Sequence, residues 1–219
     1  MLIYGLMKYI EKIPVRYDKM MNILTFGNHS RSLKILLSYV KPGMRVLDIG
    51  CGTGNFSVRC AKIGSSVTCV DASIEMLRVL KNKISGKAEE NNIRIIECGS
   101  ASVREVLKEE KFDLIVMSMM LGELPEIIRK KTMRSASELL APGGAILIND
   151  ELWPKNKLLS LIYHFLFWIF FIPNFILTRT LIRPVKDLDV DIKECSLEMA
   201  SLKTLFFGVI SIIKLVKKV

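Results

Sequence analysis

Between residues 45 and 149 the chain alternates short apolar runs with longer stretches whose apolar positions recur at helical spacing. The runs at 45–49, 66–70, 93–97, 112–117 and 145–149 are short, bounded by turn residues and rich in Val and Ile, which predicts five strands. The stretches between them predict helices over 55–63, 73–84, 102–109 and 125–140. Gly64 ends the first of these, Ser73 is placed to cap the second, with Met76, Leu77 and Leu80 on one face, and Ala141-Pro-Gly-Gly144 ends the last. Gly86–Asn92 reads as a solvated crossover. Strict alternation of this kind predicts a parallel sheet with helices on both faces and right-handed crossovers.

The flanks follow a different pattern. Residues 2–13 predict a short helix ending before Pro14. Residues 15–30 predict a helix, a Gly turn and a polar link, and 31–40 a helix stopped by Lys-Pro-Gly at 41–43. After the fifth strand, Leu158–Leu177 is twenty residues without a formal charge, cut to fifteen by Pro173-Asn174. About 20 apolar residues span a bilayer. A span would, however, separate the sheet from two further predicted strands, Val190–Cys195 and Leu205–Val216, whose hairpin completes it. The run is therefore expected to be a helical insertion that is buried as a lid, dimerises, or lies in a membrane interface. Lys155, Lys157, Arg179, Arg183 and Lys186 flank it and fit contact with anionic lipid through 158–182.

Composition narrows the setting. Half of the 219 residues are hydrophobic, an excess that the insertion carries, and 32 Lys and Arg against 22 Asp and Glu give a net charge of +10. That balance permits nucleic acid, an anionic membrane or an acidic partner without choosing among them. Five scattered cysteines without a C-x-x-C pair, and only two histidines, exclude metal-ligand spacing and suggest reduced thiols in a cytoplasmic setting. Lys8, Glu11 and Lys12 break any signal-peptide layout.

The first strand runs into Asp48-Ile-Gly-Cys-Gly-Thr-Gly54. Glycines alternate there at 50, 52 and 54, and a glycine backbone takes φ > 0 and lets a ligand lie against it. A dinucleotide turn has the spacing G-x-G-x-x-G and holds pyrophosphate on the helix N-terminus. The spacing here is G-x-G-x-G, directly after an acid, Asp48. An acid repels pyrophosphate and suits an amino or sulfonium cation. Asp71 ends the second strand 17 residues past Gly54, placed to accept both hydrogen bonds of a ribose diol. Together these favour S-adenosylmethionine over a nicotinamide dinucleotide.

Val46–Gly54 resembles the first motif of the class I S-adenosylmethionine-dependent methyltransferases, and Val70–Met76 their second. Cys98-Gly-Ser-Ala101 stands where members often carry Gly-Asp-Ala, and Phe112–Ser118 and Leu140–Gly144 resemble later motifs. Tyr17–Asn22 with Phe26-Gly-Asn-His29 is similar to the start of ubiquinone/menaquinone C-methyltransferases. Met7–Glu11, Pro14–Asp18, Gly122-Glu-Leu124, Asp150–Asn156 and Leu177–Pro184 resemble the corrinoid protein-associated methyltransferases.

The resemblance implies a single α/β domain, a doubly wound Rossmann-like sheet of seven strands, mixed but mostly parallel, with an antiparallel C-terminal hairpin. Its parts are an N-terminal helical cap (1–40), a cofactor-binding core (41–152), the hydrophobic insertion (153–186) and the hairpin (187–219). It also implies that Asp48, Gly50, Cys51, Gly52, Thr53 and Gly54 line the methionine end of S-adenosyl-L-methionine. Asp71 would hold the ribose with Ala72 and Met76 nearby, Ser100 and Ala101 would flank the adenine, and Ser118 would close the methionine side. Ser100 replaces the usual Asp, so a neutral hydroxyl meets the adenine amine. Tyr17 is implied to lie over the transferred methyl, with packing in the core as the alternative.

Methyl transfer from a sulfonium needs alignment of donor and acceptor, and a base only where the acceptor loses a proton. His29 is the candidate base, with capping of the N-terminal turn as the alternative. Glu123 and the pair Asp150-Glu151 follow strands and either meet the acceptor or are solvated or salt-bridged ends. His164 reads as a core or interface histidine, and Cys51 as a packing residue and not a nucleophile. The expected acceptor is an apolar or lipid-like small molecule, quinone-like, or one linked to a corrinoid protein. Peripheral membrane contact and a homodimer fit the insertion. The alternatives are a cofactor-binding or sensing module without turnover and a nucleic-acid methyltransferase. The latter is disfavoured because no Asn/Asp-Pro-Pro-Tyr motif follows the fourth strand.

Overall fold

The computed structural model describes residues 17–24, 27–152, 185, 188–205 and 210–218. The predicted helix over 2–13, the insertion at 153–184 with its apolar run and His164, and the tip of the C-terminal hairpin lie outside them. Among the described residues no helix is long and apolar enough to cross a membrane.

Two helices come first, α1 (Tyr17–Leu24) and α2 (Asn28–Leu37). Gly27, at φ 79°, turns the chain between them. The expected polar link at 28–30 is the first turn of α2, because Asn28 follows the left-handed glycine directly and helical hydrogen bonding starts there. The core then runs β1 (Arg45–Ile49), α3 (Asn55–Ile63), β2 (Ser66–Asp71), α4 (Ile74–Ile84), β3 (Ile93–Glu97), α5 (Val103–Leu107), β4 (Phe112–Ser118), α6 (Glu126–Leu139) and β5 (Leu140–Glu151). The Ser73 hydroxyl accepts from Met76 N at 3.3 Å and caps α4 as the sequence suggests. The 86–92 crossover contains a turn of 3₁₀ helix at Ala88–Asn92.

Three elements close the chain: α7 (Leu188–Glu194), β6 (Leu197–Leu205) and β7 (Ile210–Lys217). Here the structure corrects the sequence reading, since Val190–Cys195 is helical up to Glu194 and the sixth strand starts at Leu197. Leu188 and Ile192 lie one helical turn apart and are buried with Asp191, while Val190 is exposed. The seven strands are ordered β3-β2-β1-β4-β5-β7-β6. The first five pair in parallel, and β7 is antiparallel to both β5 and β6.

Period-two alternation sorts β1 onto two faces. Leu47 and Ile49 join Ile115, Met117, Ile146 and Ile148 against α5, α6 and α7. Val46 joins Val67, Leu114, Val116 and Leu147 against α2, α3 and α4. Asp48 must share the face of Val46, so the strand pleat drives its carboxylate beneath α3, 2% exposed. Strand order reverses between β1 and β4, and ligands of open α/β sheets bind at the carboxyl ends of strands at such a point.

Candidate functional site

A cavity of about 470 Å³ opens at that point. The loops after β1, β2, β3 and β4 wall it, and α2 covers one side. Gly50, Gly52 and Gly54 hold φ of 71°, 54° and 71°, which a side chain would strain. Their surroundings differ. A Cβ on Gly52 would meet nothing within 4 Å, whereas one on Gly50 would press on Met120 at 3.1 Å. A Cβ on Gly54 would lie 2.2 Å from Leu80 Cδ1. Gly52 therefore presents bare backbone to the cavity. Gly54 starts α3 and packs on α4, and is absent from the cavity wall.

Asp71 stitches this turn to the end of β2. Its Oδ2 accepts from Gly52 N and its Oδ1 from Ser73 N, each at 2.8 Å. Two backbone donors fix the carboxylate at the wall and leave it further lone pairs for a ligand diol. Asp48 sits behind the turn, and its Oδ2 accepts from Ser57 Oγ at 2.5 Å. Burial raises its pKa to about 7, against the Ser57 hydrogen bond and with the help of the Asp71 charge. A cation bound beside Asp48 and Asp71 would favour the ionised form of both carboxyls.

The remaining wall is made as follows. Cys98, Ser100 and Ala101 follow β3, Ala72 and Met76 follow β2, and Ser118, Met119 and Met120 follow β4. Ser100 Oγ is 2.9 Å from Thr132 Oγ1 of α6, which fixes the hydroxyl beside the cavity. Ser118 Oγ accepts from Asn149 Nδ2 at 2.8 Å. Met119 takes a φ of 55°, costly for a residue with a Cβ, and is held by its N–H on Asn149 O at 2.7 Å. Under α2 the wall is apolar, with Leu33, Leu36 and Phe56.

Of the residues singled out from sequence, His29, Asp48, Gly50, Cys51, Gly52, Thr53, Asp71, Ala72, Met76, Ser100, Ala101 and Ser118 all line this one cavity. Tyr17 opens α1, and its side chain lies outside the described residues. His29 lies on α2, and burial lowers its pKa below 6.5, with Asp18 opposing and Arg59 assisting the shift. Cys51 is held as a thiol, its pKa raised by a hydrogen bond with Cys69, by burial and by the neighbouring acids, which removes it as a nucleophile. Among the described residues no group of His, Cys, Asp and Glu is arranged to hold a metal ion.

The acids after β4 and β5 separate. Glu123 lies at the cavity wall. Asp150 and Glu151 are fully buried and are neither solvated ends nor wall residues. Asp150 Oδ2 accepts from Met120 N at 3.1 Å and Leu121 N at 2.8 Å, and its Oδ1 from Glu151 N at 2.8 Å, so it shapes the loop that carries Met119 and Met120. Sequence reasoning missed Asp18, Ser32 and Asn149. Asp18 was visible only as the residue after Tyr17, and its partners are remote in sequence.

Residues 46–144 match the family model described as "Methyltransferase domain". The chain is similar to the ubiquinone/menaquinone biosynthesis C-methyltransferase UbiE of Shewanella frigidimarina, 26% identical over 158 residues, 70% of this chain and 61% of that protein. The chain thus spans less than two thirds of the curated relatives' length. Among solved structures it resembles the magnesium protoporphyrin IX methyltransferase of Synechocystis PCC 6803 with bound SAM (TM-score 0.62, 16% identity, 87% of this chain and 80% of that one). It likewise resembles a SAM-dependent methyltransferase from Methanosarcina mazei (TM-score 0.64, 20% identity, 84% of this chain and 97% of that one).

Proposed function

We propose that this chain is a class I S-adenosylmethionine-dependent methyltransferase and methylates a ring carbon of an apolar, hydroxylated aromatic acceptor of quinol type. The observation that carries the acceptor reading is the place of His29, a buried imidazole in the wall of the cofactor cavity, on a helix that also brings Leu33 and Leu36 there. Its lowered pKa keeps it neutral at pH 7 and therefore able to accept a proton. The likeness to quinone C-methyltransferases supports the same class of acceptor.

The residues present fit the cofactor. The cavity has room for it, Gly52 offers backbone without obstruction, and the carboxyls of Asp48 and Asp71 line it. Bound there, S-adenosylmethionine supplies an electrophilic methyl on a sulfonium. Asp71 would hold the ribose diol, Asp48 and the Gly50–Gly52 backbone the methionine end, and Ser100 and Ala101 the adenine. Leu33, Leu36 and Phe56 pack the acceptor ring and exclude water, which favours displacement over hydrolysis. His29 takes the proton of the acceptor hydroxyl, which turns the neighbouring ring carbon into the nucleophile. Transfer of the methyl from a sulfonium held there to that carbon would leave a neutral thioether, and the ring-carbon proton, released to water, would restore the aromatic ring while His29 returns its proton to the ring oxygen. The apolar stretch 158–182 is assigned to membrane contact, where such acceptors dissolve, and it lies outside the described residues.

The test is incubation of the purified protein with isotopically labelled S-adenosylmethionine and a short-chain 1,4-naphthohydroquinone kept reduced. Label in the organic extract supports the reading. Label confined to a corrinoid protein or a phospholipid supplied in parallel, or no transfer to any of the three, overturns it.

A further inference from the structure

Asp18, Thr53 and Lys83 form a closed ring at the rim of the cavity. The Thr53 hydroxyl donates to Asp18 Oδ1 at 2.8 Å, and Lys83 Nζ reaches Asp18 Oδ2 at 2.6 Å and the Thr53 carbonyl at 2.9 Å. Each member comes from a different element: Asp18 from the first turn of α1, Thr53 from the glycine turn and Lys83 from the last turn of α4. Asp18 and Thr53 both line the cavity, and Thr53 is 2% exposed. Two further ties of α1 run to the start of α2, from Gly27 N to Asn22 O and from Ser30 N to Asn22 Oδ1.

We propose that Lys83 is a positioning residue that latches α1 over the glycine turn and so sets how long S-adenosylmethionine stays bound. Neither Asp18 nor Lys83 belongs to the cofactor motifs, yet their ring engages both the side chain and the backbone of the turn that holds the cofactor. Thr53 and Lys83 each take one Asp18 oxygen, and the part of the carboxylate in the latch is to fix α1. The ion pair is about one-third exposed, 34% at Lys83 and 30% at Asp18. A latch of that kind opens and closes readily, as repeated cofactor exchange requires. The latch concerns cofactor residence alone and stands apart from the identity of the acceptor.

The experiment compares wild type, Lys83→Met, Lys83→Arg and Asp18→Asn, using S-adenosylhomocysteine as the probe. Two quantities are read: its dissociation rate, and hydrogen exchange of the amides at 17–24 in the cofactor-free protein. Lys83→Met is expected to speed dissociation about five- to tenfold and to raise exchange in α1, with the urea midpoint of the core unchanged. Lys83→Arg restores both readings, and Asp18→Asn combined with Lys83→Met is no worse than either alone, since one ring is broken once. Unchanged exchange and dissociation in Lys83→Met overturn the proposal. So does tighter binding in that variant, which would mean that Asp18, once released, holds the cofactor directly. If Lys83→Met fails to fold, Asp18→Asn is read by the same two measurements and the same outcomes apply.

Discussion

Lowering the pH from about 7 to about 5.5 places a proton on Asp48 in the cofactor-free protein, because burial has raised its pKa from 3.8 to about 7. A bound ammonium or sulfonium opposes that proton and returns the carboxyl toward its ordinary range. The group is therefore charged in the complex and neutral in the free protein at acid pH, so cofactor affinity rises with pH and proton release accompanies binding. With a pKa near 7 free and 5 or below bound, the linkage gives about tenfold tighter binding between about pH 5.5 and about pH 7. Full return of the carboxyl to its ordinary value corresponds to on the order of 4 kcal/mol of coupling. The assay is calorimetric titration of S-adenosylhomocysteine in buffers of different ionisation enthalpy. It is kept below about pH 7, where the ligand's own amine stays protonated. Wild type is expected to release most of a proton at about pH 6, and Asp48→Asn to bind weakly with no pH dependence in this window. A pH-independent affinity in wild type, or the same slope in Asp48→Asn, would refute the reasoning.

Four further outcomes follow from the same geometry. Gly54→Ala combines a φ of 71° with a Cβ 2.2 Å from Leu80 Cδ1, and should lose at least about 2 kcal/mol in urea denaturation. Asp150→Ala strands the buried amides of Met120 and Leu121 and that of Glu151, and should lose about 3 kcal/mol by the same measurement; a loss under about 1 kcal/mol would show that the loop does not depend on it. Asp71→Asn should weaken S-adenosylhomocysteine about thirtyfold by equilibrium dialysis. At saturating cofactor, kcat should stay flat from about pH 7 to 8 and fall only below about 6.5 as His29 gains its proton, an acid limb that His29→Gln removes.

The sheet was legible because the apolar runs at 45–49, 66–70, 93–97, 112–117 and 145–149 all fall within β1 to β5, although β5 starts earlier, at Leu140, and takes in the Pro-Gly-Gly read as a helix stop; the pleat then dictated that Asp48 be buried beneath α3. Twelve of the residues named from motif and resemblance meet in one cavity because each follows a strand at the same edge or lies on the helix above it. The helix α7 was misread for a physical reason. Leu188-Asp-Val-Asp-Ile192 alternates with period two as a strand does, while Leu188 and Ile192 also satisfy helical spacing. The helix is favoured by Asp191, whose carboxylate meets Arg129 Nε at 2.7 Å from a position 1% exposed. The start of β6 was hidden because that strand is an edge with both faces largely exposed, so no alternation marks it. The ring of Asp18, Thr53 and Lys83 had no local signature, since Asp18 and Lys83 stand 65 residues apart.

The claim that joins these observations is that the cavity beside Gly50–Gly52 delivers a methyl group to the ring carbon of a quinol. A single-turnover reaction with 13C-methyl S-adenosylmethionine and a short-chain naphthohydroquinone, quenched and examined by carbon NMR, tests it most directly. A new methyl signal in the range of carbon-attached aromatic methyls, absent in Asp71→Ala, is the predicted result. A signal in the methoxy range, or a carbon-methyl product that persists in Asp71→Ala, would contradict the account.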